Sequence, residues 1–216
     1  MEEKENASMR NGIVIILAGL MLLVCTVSPS FGSWLVYSKP EFRGRIIDTE
    51  TKQPIEGVVV VAMYQTHTLI SGPGGGHTSI IHVKEALSDK SGEFHIPSYT
   101  TIIQPNSLED RVAFIIYKPG YGRRVQPPNV VGLEKFFSQE TGTKGEILVE
   151  SIKGNKTIAI TYGVVELTRL ETKEERLRAV PGRPSELSPE DIPLLYKAIN
   201  EERKRFGLGP IGRVGQ

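Results

Sequence analysis

The sequence predicts a mainly β protein, a β-sandwich flanked by a hydrophobic N-terminal segment and one C-terminal α-helix. Three observations predict it. From Phe42 onward, short β-branched runs alternate with turn residues. Helical periodicity is absent until near the end of the chain, where Ser188-Pro189-Glu190-Asp191 reads as a helix start with Ser as cap, Pro in the first turn and acids beside it. The composition, 39% hydrophobic and 24% charged, is that of a globular body. At 216 residues, the chain has room for one core of ordinary size plus appendages.

The charge balance narrows the partners. Twenty-six Lys and Arg against 25 Asp and Glu leave +1, too little to hold a phosphate backbone, so nucleic acid is not expected as a partner. Cys25 is the single cysteine. An internal disulfide, a thiolate metal site and a cysteine nucleophile in the body are therefore excluded.

Ile13 to Cys25 is an unbroken apolar run, preceded by Arg10 and followed by the small residues of Ser28-Pro29-Ser30-Phe31-Gly32-Ser33. That is signal-peptide grammar, with Ser30 and Gly32 placed for a cut before Ser33. Initiation at Met9 would give the positive start that the acidic residues Glu2 to Glu5 obscure. Two other readings stay open: lipidation at Cys25, although Val24 departs from the small residue such a motif wants, and a retained anchor over residues 13–36. All three place the body outside the cytoplasm, in the periplasm or cell envelope, touching the membrane only through this segment.

The body is expected over residues 33–170. Phe42 to Asp48 alternates as a strand and Thr49 to Gly57 is a polar turn, giving a hairpin into Val58-Val59-Val60-Val61-Ala62-Met63-Tyr64. This continuous β-branched run belongs at the centre of a sheet, buried on both faces. Ser71 to Gly76 is a Gly-rich loop without the following helix and Lys-Ser/Thr that phosphate cradles need. Ser79 to Leu87 returns as a strand, Asp89-Lys90-Ser91-Gly92 turns, and Glu93 to Pro97 starts the next. Ser98 to Asp110 reads as a crossover loop, Val112 to Lys118 as a strand stopped by Pro119-Gly120, and 130–145 as an irregular excursion. Gly145 to Ile152 and Thr157 to Leu170 read as closing strands. Beyond them come a linker over 171–187, a helix over 188–206 stopped by Gly207, and a mobile tail over 207–216. Ile192, Leu195, Tyr196, Ile199 and Phe206 share the face expected to pack, with Glu201 to Arg205 contributing the solvated side.

Three segments carry a family resemblance: Gly44-Arg45-Ile46-Ile47-Asp48 with Pro54 to Val60, Ser88 to Pro97, and Tyr117-Lys118-Pro119-Gly120-Tyr121. In that order they resemble carboxypeptidase regulatory-like domains, over about Phe42 to Tyr121. The resemblance implies a seven-stranded, prealbumin-like Greek-key sandwich used as a non-catalytic module in exported or envelope proteins of bacterial type. The His-x-x-Glu zinc signature of carboxypeptidases is absent, and the C-terminus lacks the Tyr-Arg-Gly-Ser of prealbumin-like hydrolases. Neither activity carries over.

Candidate chemistry is sparse. His67, His77 and His82 flank the Gly-rich loop and form a metal candidate, His67 facing His82 across a hairpin; no tight His-x-His or His-x-x-x-His spacing reinforces it. Ser71, Ser79 and Asp89 lie near them without a Gly-x-Ser-x-Gly elbow. Tyr117, Tyr121, Arg123 and Arg124 form an aromatic and basic candidate for a sugar or peptide, against the alternative of a core tyrosine with solvated arginines. The expectation is a non-enzymatic module without a cofactor, binding an envelope protein or glycan. The alternatives are a small metal-binding protein or metal-dependent enzyme, and a membrane-anchored assembly component.

Overall fold

A computed structural model describes residues 35–69, 76–123, 133–149, 156–182 and 184–211. The apolar run with Cys25, the Gly-rich loop over 70–75, and Arg124 lie outside them. Among the described residues the protein is mainly β, with few helices. In chain order the elements are β1 (Val36–Lys39), β2 (Phe42–Asp48), β3 (Val59–Thr68), β4 (His77–Leu87), β5 (Glu93–Ile96), β6 (Tyr99–Ile102), β7 (Ser107–Tyr117), β8 (Tyr121–Arg123), α1 (Leu133–Ser138), β9 (Lys144–Val149), β10 (Lys156–Thr161), β11 (Val164–Arg169), α2 (Lys173–Arg178) and α3 (Pro193–Arg205).

Two sheets share the main core. One has the order β5-β2-β11-β8, the other β4-β3-β7; β1 with β6 and β9 with β10 form separate ribbons. Phe42, Ile46, Phe94, Ile96, Val165 and Leu167 from the first sheet meet Val60, Ala62, Tyr64, Val112, Phe114 and Ile116 from the second. In β2 the strict alternation of buried and exposed residues sends Phe42, Gly44 and Ile46 inward. A Cβ at Gly44 would stand 2.6 Å from the Phe94 ring, so only glycine lets β5 pack there.

β2 and β3 do not form the expected hairpin. Asp48 turns the chain by accepting from Glu50 N and Thr51 N, and a single bridge joins Ile47 to Pro54. The chain then crosses to the second sheet. Ser88 joins the layers: its Oγ accepts from Val58 N and donates to Ile55 O, while its carbonyl accepts from Gly57 N.

β3 is central to its sheet and apolar on both faces, in keeping with its continuous sequence. Val58, Val60, Ala62 and Tyr64 enter the shared core. Val59, Val61 and Met63 enter a second cluster, roofed by Leu187, Ile192, Leu195, Tyr196, Ala198 and Ile199. Burying each of the larger aliphatics among these contributes about 1.5–3 kcal/mol, which is what keeps the C-terminal helix on the sheet.

Several expectations change against this structure. The 98–110 stretch is not a plain loop, because Tyr99–Ile102 pairs with β1 and β7 already begins at Ser107. Within 130–145 a six-residue helix carries Phe136 and Phe137 into the aromatic core, Phe137 lying 5.3 Å from Phe94 and 5.0 Å from Phe114 between ring centroids. Two strands, β10 and β11, occupy 157–170, separated at Tyr162-Gly163. The presumed linker contains α2, closed by a capping box between Thr172 and Glu175.

The C-terminal helix begins at Pro193 rather than near Ser188. Ser188 instead donates its N–H and Oγ–H to Asp191, and the helix N-terminus is capped from β4, where the Glu85 carboxylate accepts from Leu194 N and Leu195 N at 2.8 and 2.9 Å. Burial pushes the Glu85 carboxyl above its usual range, and the two helix N–H groups pull it back. Glu202, expected on the solvated side, is fully buried; Arg176 donates to both its oxygens at 2.7 Å. The tail is docked as far as Ile211, whose N–H and carbonyl bond to Asn200.

Candidate functional site

The histidine trio is not assembled as expected. The β3–β4 ladder sets His82 opposite Tyr64, His67 opposite Thr78 and His77 opposite Thr68. Pairing His67 with His82 would slide β4 by several residues and pull the Asp89–Gly92 turn into the ladder. The bonds from Gly57 N to Ser88 O and from Ser88 N to Val58 O pin the register against that. No cluster of three or more His, Cys, Asp or Glu suited to a metal occurs among the described residues. His67 Nδ1 stands 3.4 Å from Thr78 Oγ1, which donates to Asp110 at 3.2 Å. The hydroxyl lies between the imidazole and the carboxylate, the reverse of the order in which a base activates a nucleophile. Asp89 is engaged with Ser91 and Glu93 in its turn. His95 pairs with Glu41 at 2.9 Å.

The tyrosine and arginine set is also divided. Tyr117, on β7, is buried in the cluster beneath the C-terminal helix, where burial raises its phenol and Glu202 adds to the rise. Tyr121, on β8 in the other sheet, packs against the shared core. Arg123 ends β8 beside Leu167 in the ladder, and Arg124 lies outside the described residues.

A different place stands out: an open groove of about 590 Å³ at one end of the strands. Thr66 and Thr68 come from the end of β3, His77, Ser79 and Ile81 from the start of β4. Tyr99, Thr101 and Ile102 of β6 form the opposite wall, continued by Ile103, Gln104, Asn106 and Ser107. Backbone bonds shape this wall: Ser107 N donates to Gln104 O, Leu69 N to Asn106 O and Ile103 N to Leu35 O. On the β4 side the register shifts at Tyr64/Gln65, leaving Ile81 as the extra, bulged residue at the groove.

The lining contains hydroxyls, amides, aliphatic groups and the His77 imidazole but no Asp, Glu, Lys or Arg. Behind it stands an aromatic stack, with His82 over Tyr99 at 4.3 Å and 15° and Tyr64 tilted against Tyr99 at 4.8 Å. Burial, helped by the Lys84 charge, lowers the His82 pKa, so its imidazole is neutral at pH 7. Burial pushes the Tyr64 phenol up to about 12. Lys84 donates to Pro97 O and Ser98 O, with its Nζ 5.5 Å from the centre of the Tyr99 ring. Such a surface can hydrogen-bond an uncharged polar ligand and cover its apolar parts.

Sequence reasoning missed this groove although a signal was present. No Asp, Glu, Lys or Arg stands between Glu56 and Lys84 or between Glu93 and Glu109. These two stretches supply every residue of the lining. Comparison with protein-family models, curated proteins and solved structures finds no match to this chain.

Proposed function

We propose that this protein is a non-catalytic, exported module of the carboxypeptidase regulatory-like kind, which holds an uncharged stretch of envelope protein or glycan in the groove between β4 and β6. The uncharged lining carries the reading: Thr66, Thr68, Ser79, Thr101, Gln104 and Asn106 supply donors and acceptors, and Ile81 and Ile102 supply apolar cover. The fold assignment is supported by a four-stranded and a three-stranded sheet around one core, seven strands besides the two ribbons. It is further supported by the turns at the three motif segments, where Gly57, Gly92 and Gly120 all take positive φ. The export reading rests on the Ile13 to Cys25 run.

Isothermal titration of the full chain with neutral oligosaccharides and with uncharged Ser/Thr-rich peptides tests this reading. One class should bind saturably and with little dependence on salt, and Thr101→Trp should abolish binding by filling the groove. Absence of binding by both classes, or binding indifferent to Thr101→Trp, removes the groove from the reading. A second reading, a membrane-anchored envelope component, is favoured by one observation. The chain leaves the apolar N-terminal run and joins the fold at β1, beside the groove wall formed by β6.

A further inference from the structure

We infer that the groove end of the molecule is an interfacial surface, whose exposed aliphatic rim rests against a lipid bilayer. The inference deepens the anchored reading and rests on it for one point, that the N-terminal run brings the chain to a membrane.

The first observation is where apolar side chains are exposed. Seven large ones are exposed among the described residues, and five of them, Val36, Leu69, Ile81, Ile102 and Leu108, belong to the groove end. The ladders bring them there: Val36 is opposite Ile102, Thr68 is opposite both His77 and Ser107, and Ile81 and Ile102 line the groove itself. Ile102 is 79% exposed, the most of any of them. Scattered single aliphatics are ordinary on a protein surface, whereas convergence of most of them on one rim marks an interaction surface.

The second observation is the distribution of charge. Charged residues make up 24% of the chain, yet none stands between Arg10 and Lys39, between Glu56 and Lys84, or between Glu93 and Glu109. Val36 to Ser38, Thr66 to Ile81 where described, and Tyr99 to Leu108 from these three stretches meet at the groove end. The nearest charges behind the rim have partners of two kinds: Lys39 Nζ lies 2.9 Å from Glu109 and 2.7 Å from Glu134, and Asp110 accepts from Thr78 Oγ1 at 3.2 Å. A surface approaching hydrocarbon must shed unpaired charge, because an isolated ion there is strongly penalised. A surface meant only to stay in water has no such need.

Chain continuity selects lipid over a protein partner. The ten residues 26–35 join the apolar run to β1 and span at most about 35 Å when fully extended. If the run occupies a bilayer, the rim that begins at Val36 stands within that distance of its surface. The groove then opens toward the headgroup layer.

Full-length protein carrying Cys25→Ser and one new cysteine, Ile102→Cys, Leu108→Cys or Leu208→Cys, is labelled with an environment-sensitive fluorophore and reconstituted with vesicles of phosphatidylcholine alone. Leu208, at the far end beyond α3, is the control. The probes at 102 and 108 should shift to the blue and be quenched about twofold or more by spin labels placed just below the headgroups, with no dependence on salt. The probe at 208 should keep its emission in water. Vesicle association with water-like emission at 102 and 108 overturns this inference and leaves the anchored reading standing. Failure of the chain to associate with vesicles overturns both. A blue shift without quenching from the lipid means that a protein surface or a second copy covers the rim, and it overturns the lipid assignment.

Discussion

The two ends of the strands are built on different principles. At the end where β3 starts, polar groups are tied down: Asp48 and Asp89 accept backbone N–H bonds in their turns, Lys118 donates to Glu56 O, and Arg176 holds the buried Glu202. Glu202 also accepts from Gly120 N, which fastens the C-terminal helix to the turn after β7. At the other end, the groove lining has no Asp, Glu, Lys or Arg, and several aliphatic side chains are exposed. One end spends its polar residues on closing the fold, and the other leaves neutral donors and acceptors exposed around a groove. Residues that close the fold and residues that line the groove are thus separated along the strand axis, so each set can be altered with little effect on the other.

That separation is broken most severely at the closed end. Arg176→Ala leaves the Glu202 carboxylate buried without its counter-ion and should lower unfolding free energy by about 3–5 kcal/mol in a denaturant titration. Gly92→Ala comes next, at about 2 kcal/mol by the same measurement. Gly92 has φ +76°, and a Cβ there would lie 2.4 Å from Ile46 O. Glu85→Ala strips the N-terminal acceptor from the C-terminal helix and should cost about 1 kcal/mol.

Two pH effects sharpen the comparison. The Glu85 carboxyl is raised in the fold, so the native state holds its proton more firmly than the unfolded chain does. Its contribution is therefore most favourable below the ordinary glutamate value near 4.3 and declines as pH rises through the folded value. Glu85→Gln should remove that slope from a series of melts. The His82 imidazole is lowered, so the unfolded chain takes up its proton first. Stability from this residue is present above about pH 6.5 and is lost as pH falls through the folded value. His82→Phe should flatten the acid side of the profile while leaving stability at pH 8 little changed. The smallest effect is expected at the rim, where Ile102→Ser should move unfolding free energy by less than about 0.5 kcal/mol.

Local chemistry made much of the β framework legible in advance. Val58 to Tyr64 reads as a strand buried on both faces because no polar residue interrupts it, and it is so buried. Asp89-Lys90-Ser91-Gly92 reads as a turn because Asp and Gly there satisfy and permit a tight reversal, and the chain does reverse there. The short α1 was not legible, since six residues are too few to show a helical period. Nor was the start of the C-terminal helix, because its cap comes from Glu85, more than a hundred residues earlier. The groove was only half legible. Its lack of charge is written in the chain, but that β6 would stand across from β4 is not.

The sequence by itself determined the β class, the central strand and the tight turns, because these depend on side-chain alternation and on φ preferences within a few residues. Tertiary structure alone decided the register of His67 and His82, the split of Tyr117 from Tyr121 between two packing clusters, the burial of Glu202 and the convergence of the uncharged stretches. Each of these depends on which distant segments meet, and that is settled by the summed burial of both cores rather than by any local preference.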